Sequence, residues 1–235
     1  MIRNIFLDLD DTLLDFKAAE RKAVAQTLEQ IGVAVNEHVL TRYSVLNLSQ
    51  WKRMERGEIT VEQVKTNRYE LLFEELGVAA DAAQTTKIYE GFLAAQHPEL
   101  PGARAMMDAL YGKYRLYLAS NGTARVQHQR LDESGFGRYF DKVFLSQELG
   151  ANKPDPAFFE ACFAQLDGFQ KQESVIFGDS LTSDILGGLR AGIVTVWFNP
   201  GGKPAGGIKP DHEVRALDEF PPLIASLSHK NSSFF

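Results

Sequence analysis

The sequence lacks several features that would point to particular classes of protein. It contains one cysteine, so no internal disulfide bond can form. It has no block of basic residues and a formal net charge of -6, which argues against nucleic acid or an anionic membrane as a partner. No apolar run approaches the ~20 residues of a membrane-spanning helix, and the acidic start "MIRNIFLDLD" lacks the pattern of a signal peptide. These absences predict a cytoplasmic protein.

The remaining composition is that of an ordinary globular protein. The chain has 235 residues, of which 44% are hydrophobic and 24% are charged, enough for a real core in one or two domains. The single cysteine, Cys162, lies in the helical apolar pattern "AFFEACFAQL", which predicts a buried and inert thiol.

Short apolar runs alternate with helical patterns over most of the chain. The runs predict strands at Ile5–Leu7, Arg115–Ala119, Lys142–Leu145, Ser174–Phe177 and Ile193–Phe198. The helical patterns lie at Ala103–Tyr111, Ala124–Ser134, Pro156–Leu166 and Leu181–Ala191. This alternation predicts an α/β fold with a doubly wound, Rossmann-like parallel sheet covered on both faces.

One interval interrupts the alternation. From about Phe16 to His97 the sequence has only helical patterns, at Ala18–Ile31, Glu37–Met54, Val61–Leu76 and Ala82–Gln96. We therefore expect a helical domain, residues 16–97, inserted after the first strand of an α/β core made of residues 1–15 and 98–235. The last residues, "SHKNSSFF", predict a frayed tail.

Polar residues follow three of the predicted strands, and one more opens a helix between them. Ligands of open parallel sheets bind beyond the carboxyl ends of the strands, so these side chains are expected to converge at one edge. The set comprises Asp8, Asp10, Thr12, Ser120, Asn121, Lys153, Asp179 and Asp184.

This set suits the chemistry of a phosphate group. Thr12, Ser120, Lys153 and turn amides can donate hydrogen bonds to a phosphate dianion. Acidic side chains beside a dianion need a cation between them, and oxygen ligands favour Mg2+. The candidate metal ligands are Asp8, Asp179 and Asp184.

The first acidic cluster also offers groups for catalysis. A carboxylate can attack phosphorus to form an aspartyl phosphate. A second carboxyl two residues further on can protonate the leaving oxygen and then activate water. We therefore place Asp8 and Asp10 in the site, whereas Asp11 and Asp15 are expected to face solvent or to cap the following helix.

Four segments together resemble a known superfamily. "DLDDT", "LASNG", "KPD" and "GDSLTSD" stand in the order of the four motifs of the haloacid dehalogenase-like hydrolases, and the match covers nearly the whole chain. The resemblance implies that Asp8 is the nucleophile and Asp10 the general acid and base. It also implies that the helical domain is a cap of the C1 type.

The same resemblance implies roles for the other motif residues. Thr12, Ser120 and the neighbouring Asn121 would bind phosphate, and Lys153 would orient both phosphate and nucleophile. Mg2+ would be held by Asp8, Asp179 and the backbone carbonyl of Asp10, with Asp184 acting partly through water or through Lys153.

Two longer segments, "GDSLTSDILGGLRAGIVTVWFNP" and "WKRMERGEITVEQVKTNRYELLF", resemble the pyrimidine 5′-nucleotidase group of this superfamily. This resemblance implies a small phosphorylated partner, a pyrimidine (deoxy)nucleoside monophosphate. The phosphate motifs cannot recognise a base or sugar, so selectivity is expected in the helical domain. Trp51, Arg53 and Arg68 are its candidate substrate contacts, with the alternative that aromatic residues at helical spacing form core and basic ones a solvated face.

Two other functions remain open from the sequence. One is a phosphatase or mutase acting on phosphosugars or other small phosphorylated metabolites, which would share every core motif. The other is a non-catalytic binding module, although the presence of Asp8, Asp10, Ser120, Lys153 and Asp179 argues against it. Asp10 also favours phosphate over carbon–halogen chemistry, because it supplies the proton for the leaving group.

Overall fold

The structure, a computed structural model, describes residues 1–230, with the backbone alone for His229 and Lys230. The predicted frayed tail falls partly on residues 231–235, which lie outside the described residues. Its first three residues, from Ser228, instead complete the last helix.

The predicted strands are present, each within one residue of its expected ends. Within the described residues the strands are β1 (Asn4–Leu7), β2 (Arg115–Ser120), β3 (Lys142–Leu145), β4 (Ser174–Gly178), β5 (Val194–Phe198) and β6 (His212–Val214). The last of these was not predicted. The α-helices are α1 (Phe16–Gln30), α2 (Glu37–Glu55), α3 (Val61–Leu76), α4 (Ala82–Ala94), α5 (Ala103–Leu110), α6 (Ala124–Ser134), α7 (Ser146–Leu149), α8 (Pro156–Phe163), α9 (Leu186–Ala191) and α10 (Phe220–Lys230).

The described strands form one parallel sheet in the order β3-β2-β1-β4-β5-β6. The order reverses at β1, which lies between β2 and β4, as is typical of a doubly wound sheet. The carboxyl ends of β1, β2 and β4 are therefore neighbours, and the loops that follow them share one edge. The predicted α/β fold class is confirmed.

Alternate side chains of the central strands pack against helices on opposite faces of the sheet. On one face, Phe6 and Ile176 form a buried cluster with Phe159 of α8. On the other face, the ring of Phe177 stacks on that of Phe220 from α10, with ring centroids 4.0 Å apart. Cys162 lies fully buried in the first cluster, and burial raises the pKa of its thiol to about 12, so the expected inert thiol agrees with the structure.

The chain divides into two compact units. The sheet unit contains Met1–Asp15, Glu99–Ala124 and the described chain from Ser134 onward. The helical unit contains Phe16–Pro98 and Arg125–Glu133, so most of α6 packs with the inserted helices. The predicted functions of a catalytic core and a cap stay predictions.

The helical unit has its own buried core. Helix α1 packs on α4, and α2 packs on α3. The apolar residues at their contacts include Ala23, Leu28, Leu46, Leu72 and Leu93. Among residues 1–230, no helix combines the length and the hydropathy needed to cross a membrane.

Candidate active site

A tight turn after β1 holds the first acidic cluster. The ladder continues one residue past the strand, since the backbone N–H of Asp8 donates to the carbonyl of Phe177 over 3.0 Å. The chain then turns back, and the N–H groups of Leu13 and Leu14 both donate to the carbonyl of Leu9. Asp11 adopts a φ of 55°, a left-handed conformation that Asp tolerates better than most residues. This turn returns Thr12 to the side of Asp8.

The ammonium of Lys153 lies between two of the predicted site carboxylates. Its Nζ is 2.8 Å from Asp8 Oδ1 and 2.6 Å from Asp184 Oδ1. It also donates to the carbonyl oxygen of Ala119 at the end of β2. An ammonium has three N–H donors, so these three bonds use all of them. Lys153 therefore ties the ends of β1 and β2 to the loop after β4.

Burial sets the electrostatics of this cluster. Burial raises the pKa of Asp8 to about 7, opposed by the charge of Lys153 and reinforced by the charges of Asp184 and Asp10. Burial alone would lower the pKa of Lys153, but the charges of Asp184 and Asp8 outweigh it and raise that pKa above its ordinary value. The site thus holds more negative charge than its one ammonium balances.

The amide of Asn121 fixes the backbone of Lys153. Its Nδ2 donates to the carbonyl of Lys153 over 2.8 Å, and its Oδ1 accepts from the N–H of Lys153 over 2.9 Å. Its Nδ2 also lies 3.5 Å from Ser183 Oγ. The predicted contact of Asn121 with phosphate stays a prediction. Next to it, Ser120 is buried, and its Oγ accepts from the N–H of Gly122 over 3.1 Å.

The loop after β4 places Asp184 against the last residue of that strand. Asp184 is buried, and its Oδ2 accepts from the backbone N–H of Ser180 over 3.0 Å. A side chain at Gly178 would overlap the Asp184 carboxylate, so only glycine fits there without displacement. Residues Leu181–Ile185 form a π-helical turn ahead of α9, where a helix had been predicted to run from Leu181. Such turns occur often at functional sites.

Three carboxylates form a group that can hold a metal ion. One oxygen from each of Asp8, Asp179 and Asp184 lies within 4.8 Å of the others. Oxygen donors of this kind suit a hard divalent cation, which would offset the excess negative charge at this site. The donor set therefore fits the predicted Mg2+. Asp10 is half-buried beside this group, close enough for its charge to act on Asp8.

The hydroxyl of Thr12 joins the two motifs that supply these ligands. It is fully buried, lies 3.4 Å from Asp8 Oδ2 and accepts from the backbone N–H of Asp179 over 3.2 Å. The carbonyl of Asp179 in turn accepts from the indole Nε1–H of Trp197 over 2.9 Å. Thr12 thus contacts Asp8, as expected of a site residue, and also fixes the loop that carries Asp179.

The candidate substrate contacts of the helical unit lie in different environments. Arg68 is buried, donates to Asn47 Oδ1 over 3.0 Å and places its guanidinium 4.6 Å from the ring centre of Tyr89. Arg53 is about 40% exposed and pairs with Glu58 over 3.2 Å. Trp51 is half-buried. Arg68 is therefore part of the core of this unit, and the three substrate contacts stay predictions.

The sequence did not reveal the groups that hold these residues in place. Each of these contacts involves a backbone carbonyl. Lys153 Nζ donates to the carbonyl of Ala119, Asn121 Nδ2 donates to that of Lys153, and the indole of Trp197 donates to that of Asp179. Trp197 stood in a predicted strand, but only the register of β5 against β4, with Trp197 beside Gly178, brings it to Asp179. No residue pattern encodes that register.

Comparison with known proteins agrees with this geometry. The family model described as haloacid dehalogenase-like hydrolase matches residues 2–192, and the chain belongs to that family. The predictions of the family and of an enzyme, a phosphatase, are confirmed.

Two relatives and one solved structure are similar over most of the chain. Pyrimidine 5'-nucleotidase PynA of Streptococcus pneumoniae is 40% identical over 83% of this chain and 83% of its own. Pyrimidine 5'-nucleotidase YjjG of Escherichia coli is 30% identical over 94% of this chain and 96% of its own. The crystal structure of the HAD-hydrolase YfnB from Bacillus subtilis bound to magnesium has a TM-score of 0.91 at 34% identity, covering 95% of this chain and 98% of that one.

Proposed function

We propose that this chain is a Mg2+-dependent 5′-nucleotidase that hydrolyses pyrimidine (deoxy)nucleoside monophosphates through an aspartyl phosphate. The observation that carries the proposal is the ammonium of Lys153 bound to both Asp8 and Asp184 within a group of three carboxylates. The choice of substrate class is supported by the names of the two relatives, PynA and YjjG.

In this proposal Asp8 attacks phosphorus with one carboxylate oxygen. A P–O bond forms to Asp8, and the P–O bond to the nucleoside 5′ oxygen breaks. Asp10 gives its proton to that leaving oxygen and then accepts a proton from the water that attacks the aspartyl phosphate. In this second step the water oxygen forms a bond to phosphorus and the P–O bond to Asp8 breaks. Inorganic phosphate leaves and both carboxyl groups are restored, so atoms and charges balance over the cycle.

The other residues orient the reacting groups. Lys153 holds Asp8 by one oxygen, and Thr12 contacts the other. Ser120 and the turn amides beside it are proposed donors to the phosphate oxygens. Asp8, Asp179, Asp184 and the backbone carbonyl of Asp10 are the residues proposed to hold Mg2+, with Asp184 tied mainly to Lys153. When bound, Mg2+ supplies positive charge that offsets the carboxylates and the phosphate dianion.

Selectivity for the nucleoside is proposed to reside in the helical unit, at Trp51, Arg53 and Arg68. The test is a substrate panel with purified protein and Mg2+, measured as phosphate release. It compares dUMP, dTMP and CMP with AMP, GMP and hexose phosphates. We expect kcat/KM for the pyrimidine nucleotides to exceed the others by about tenfold or more.

The panel separates the open alternatives. A hexose phosphate as best substrate would overturn the nucleotidase proposal but leave a phosphatase. An isomeric phosphosugar as product would identify a mutase, and no turnover of any phosphate ester would leave a binding module.

A further inference from the structure

We propose that Trp197 is a positioning residue for the metal site: its indole fixes the backbone of Asp179 so that the carboxylate can bind the cation. This inference rests on the proposed Mg2+ site. Two hydrogen bonds define it. The carbonyl of Asp179 accepts from Trp197 Nε1 over 2.9 Å, and the N–H of Asp179 donates to Thr12 Oγ1 over 3.2 Å. The backbone of this ligand residue is thus held at both ends by side chains.

Asp179 needs such support because of where it lies. It is the first residue after β4, so the parallel ladder no longer holds it, and the π-helical turn begins two residues later. Unlike Asp8 and Asp184, it is only half-buried. With the backbone fixed, only two side-chain dihedral angles remain for that carboxylate to explore.

Trp197 is suited to be a rigid support. It is 2% exposed and lies in β5 directly beside Gly178 of β4, so both its backbone and its ring are fixed by the sheet and the core. A buried indole N–H without a partner would cost free energy, which keeps the bond to Asp179 in place. The strength of one neutral hydrogen bond predicts that removing this donor weakens Mg2+ binding by about 3- to 10-fold.

The test removes the donor and measures Mg2+ binding directly. The chain has two tryptophans, so in a Trp51→Phe background Trp197 gives the one indole N–H signal of a 1H–15N spectrum. We expect Mg2+ to shift this signal on titration. In a second preparation, benzothienylalanine replaces Trp197 and substitutes sulfur for the N–H with little change in shape. Its Mg2+ affinity, measured by calorimetry, is compared with that of the tryptophan form, and Trp197→Phe gives a genetic version of the same comparison.

A control separates a positioning effect from a loss of stability. Phe198→Leu changes the neighbouring buried side chain of β5, which by the alternation of a strand points to the opposite face of the sheet from Trp197. The proposal expects weaker Mg2+ binding in both donor-free forms and unchanged binding in Phe198→Leu, even where melting temperatures fall equally. Equal Mg2+ affinity with and without the indole N–H overturns the inference and leaves the metal site intact. Absence of Mg2+ binding in the unaltered protein overturns both.

Discussion

Asp8 carries two demands that conflict, and the conflict is visible in its pKa. In its proposed role as nucleophile it must be ionised, yet burial raises its pKa to about 7, and the charges of Asp184 and Asp10 add to that effect. The charge of Lys153 opposes the shift without cancelling it. The ionised carboxylate therefore destabilises the metal-free fold, as is common for groups placed for function.

Replacing Asp8 with asparagine should separate function from folding. Asp8→Asn keeps the shape of the side chain but removes the attacking anion, so we expect kcat to fall by about 10^3-fold or more. Its metal-free melting temperature at pH 8 should be equal to or above that of the unaltered protein, because a buried charge is removed. Phosphate release and thermal melts measure the two effects.

Asp81→Asn is the matched control for this change. Asp81 caps α4 on the surface by accepting from the N–H of Gln84 over 2.9 Å, and asparagine caps as well as aspartate. Neither activity nor melting temperature should change. Substantial turnover by Asp8→Asn would remove Asp8 from the nucleophile role.

Gly178, like Asp8, is a single position at which the structure predicts that a substitution lowers activity. In Gly178→Ala the new methyl group would overlap the carboxylate of Asp184 and push it from Lys153. We expect kcat/KM to fall by about 10^2-fold, the cost of a small misplacement in an active site. Steady-state kinetics on the best substrate measure the loss.

Gly91→Ala provides the contrast. This glycine lies within α4 with no atom near the position of an added Cβ, so alanine should stabilise the protein by roughly 0.5–1 kcal/mol and leave activity unchanged. If Gly178→Ala behaves in the same way, the close packing of Asp184 on β4 does not matter for the reaction.

The helices and strands show which parts of the structure were readable from the sequence. The helical pattern predicted α3 at both ends, Val61–Leu76. In the structure these ends coincide with local features, a capping box at Thr60 and a left-handed Gly77. Strand β6 was missed, since three residues carry no usable period. The packing of Arg125–Glu133 with the helical unit was also not foreseen, because it depends on tertiary contacts. Among the site residues, the motifs indicated the polar side chains, but their backbone supports depend on register.

The helices of the inserted unit enclose a polar core that should govern its stability. Arg68 from α3 lies near the rings of Tyr43, Tyr69 and Tyr89, and its bond to Asn47 joins α3 to α2. We expect Arg68→Ala to lower the free energy of unfolding by roughly 2–4 kcal/mol, from lost packing and unpaired polar groups. Urea denaturation measures the change.

Arg53→Ala is the matched control on α2. The Arg53 side chain is about 40% exposed, so its ion pair with Glu58 should contribute less than about 0.5 kcal/mol. A change in nucleotide kcat/KM at Arg53 therefore reports on substrate, whereas one at Arg68 must first be corrected for folding. Equal denaturation midpoints for the two variants would contradict the placement of Arg68 in the core.

The whole molecule should respond to the cation through its stability, and the direction with pH follows from Asp8. The pKa of Asp8 is raised from 3.8 to about 7 on folding, so the metal-free protein loses stability as pH rises between these values. Mg2+ competes with that proton and binds the ionised site, so its apparent affinity should rise by about tenfold between pH 6 and pH 8. Because a ligand that binds the folded state raises the melting temperature, Mg2+ should stabilise the protein more at pH 8 than at pH 6.

Asp8→Asn should remove this pH dependence. If Mg2+ raised the melting temperature of the unaltered protein equally at both pH values, Asp8 would not bind the metal.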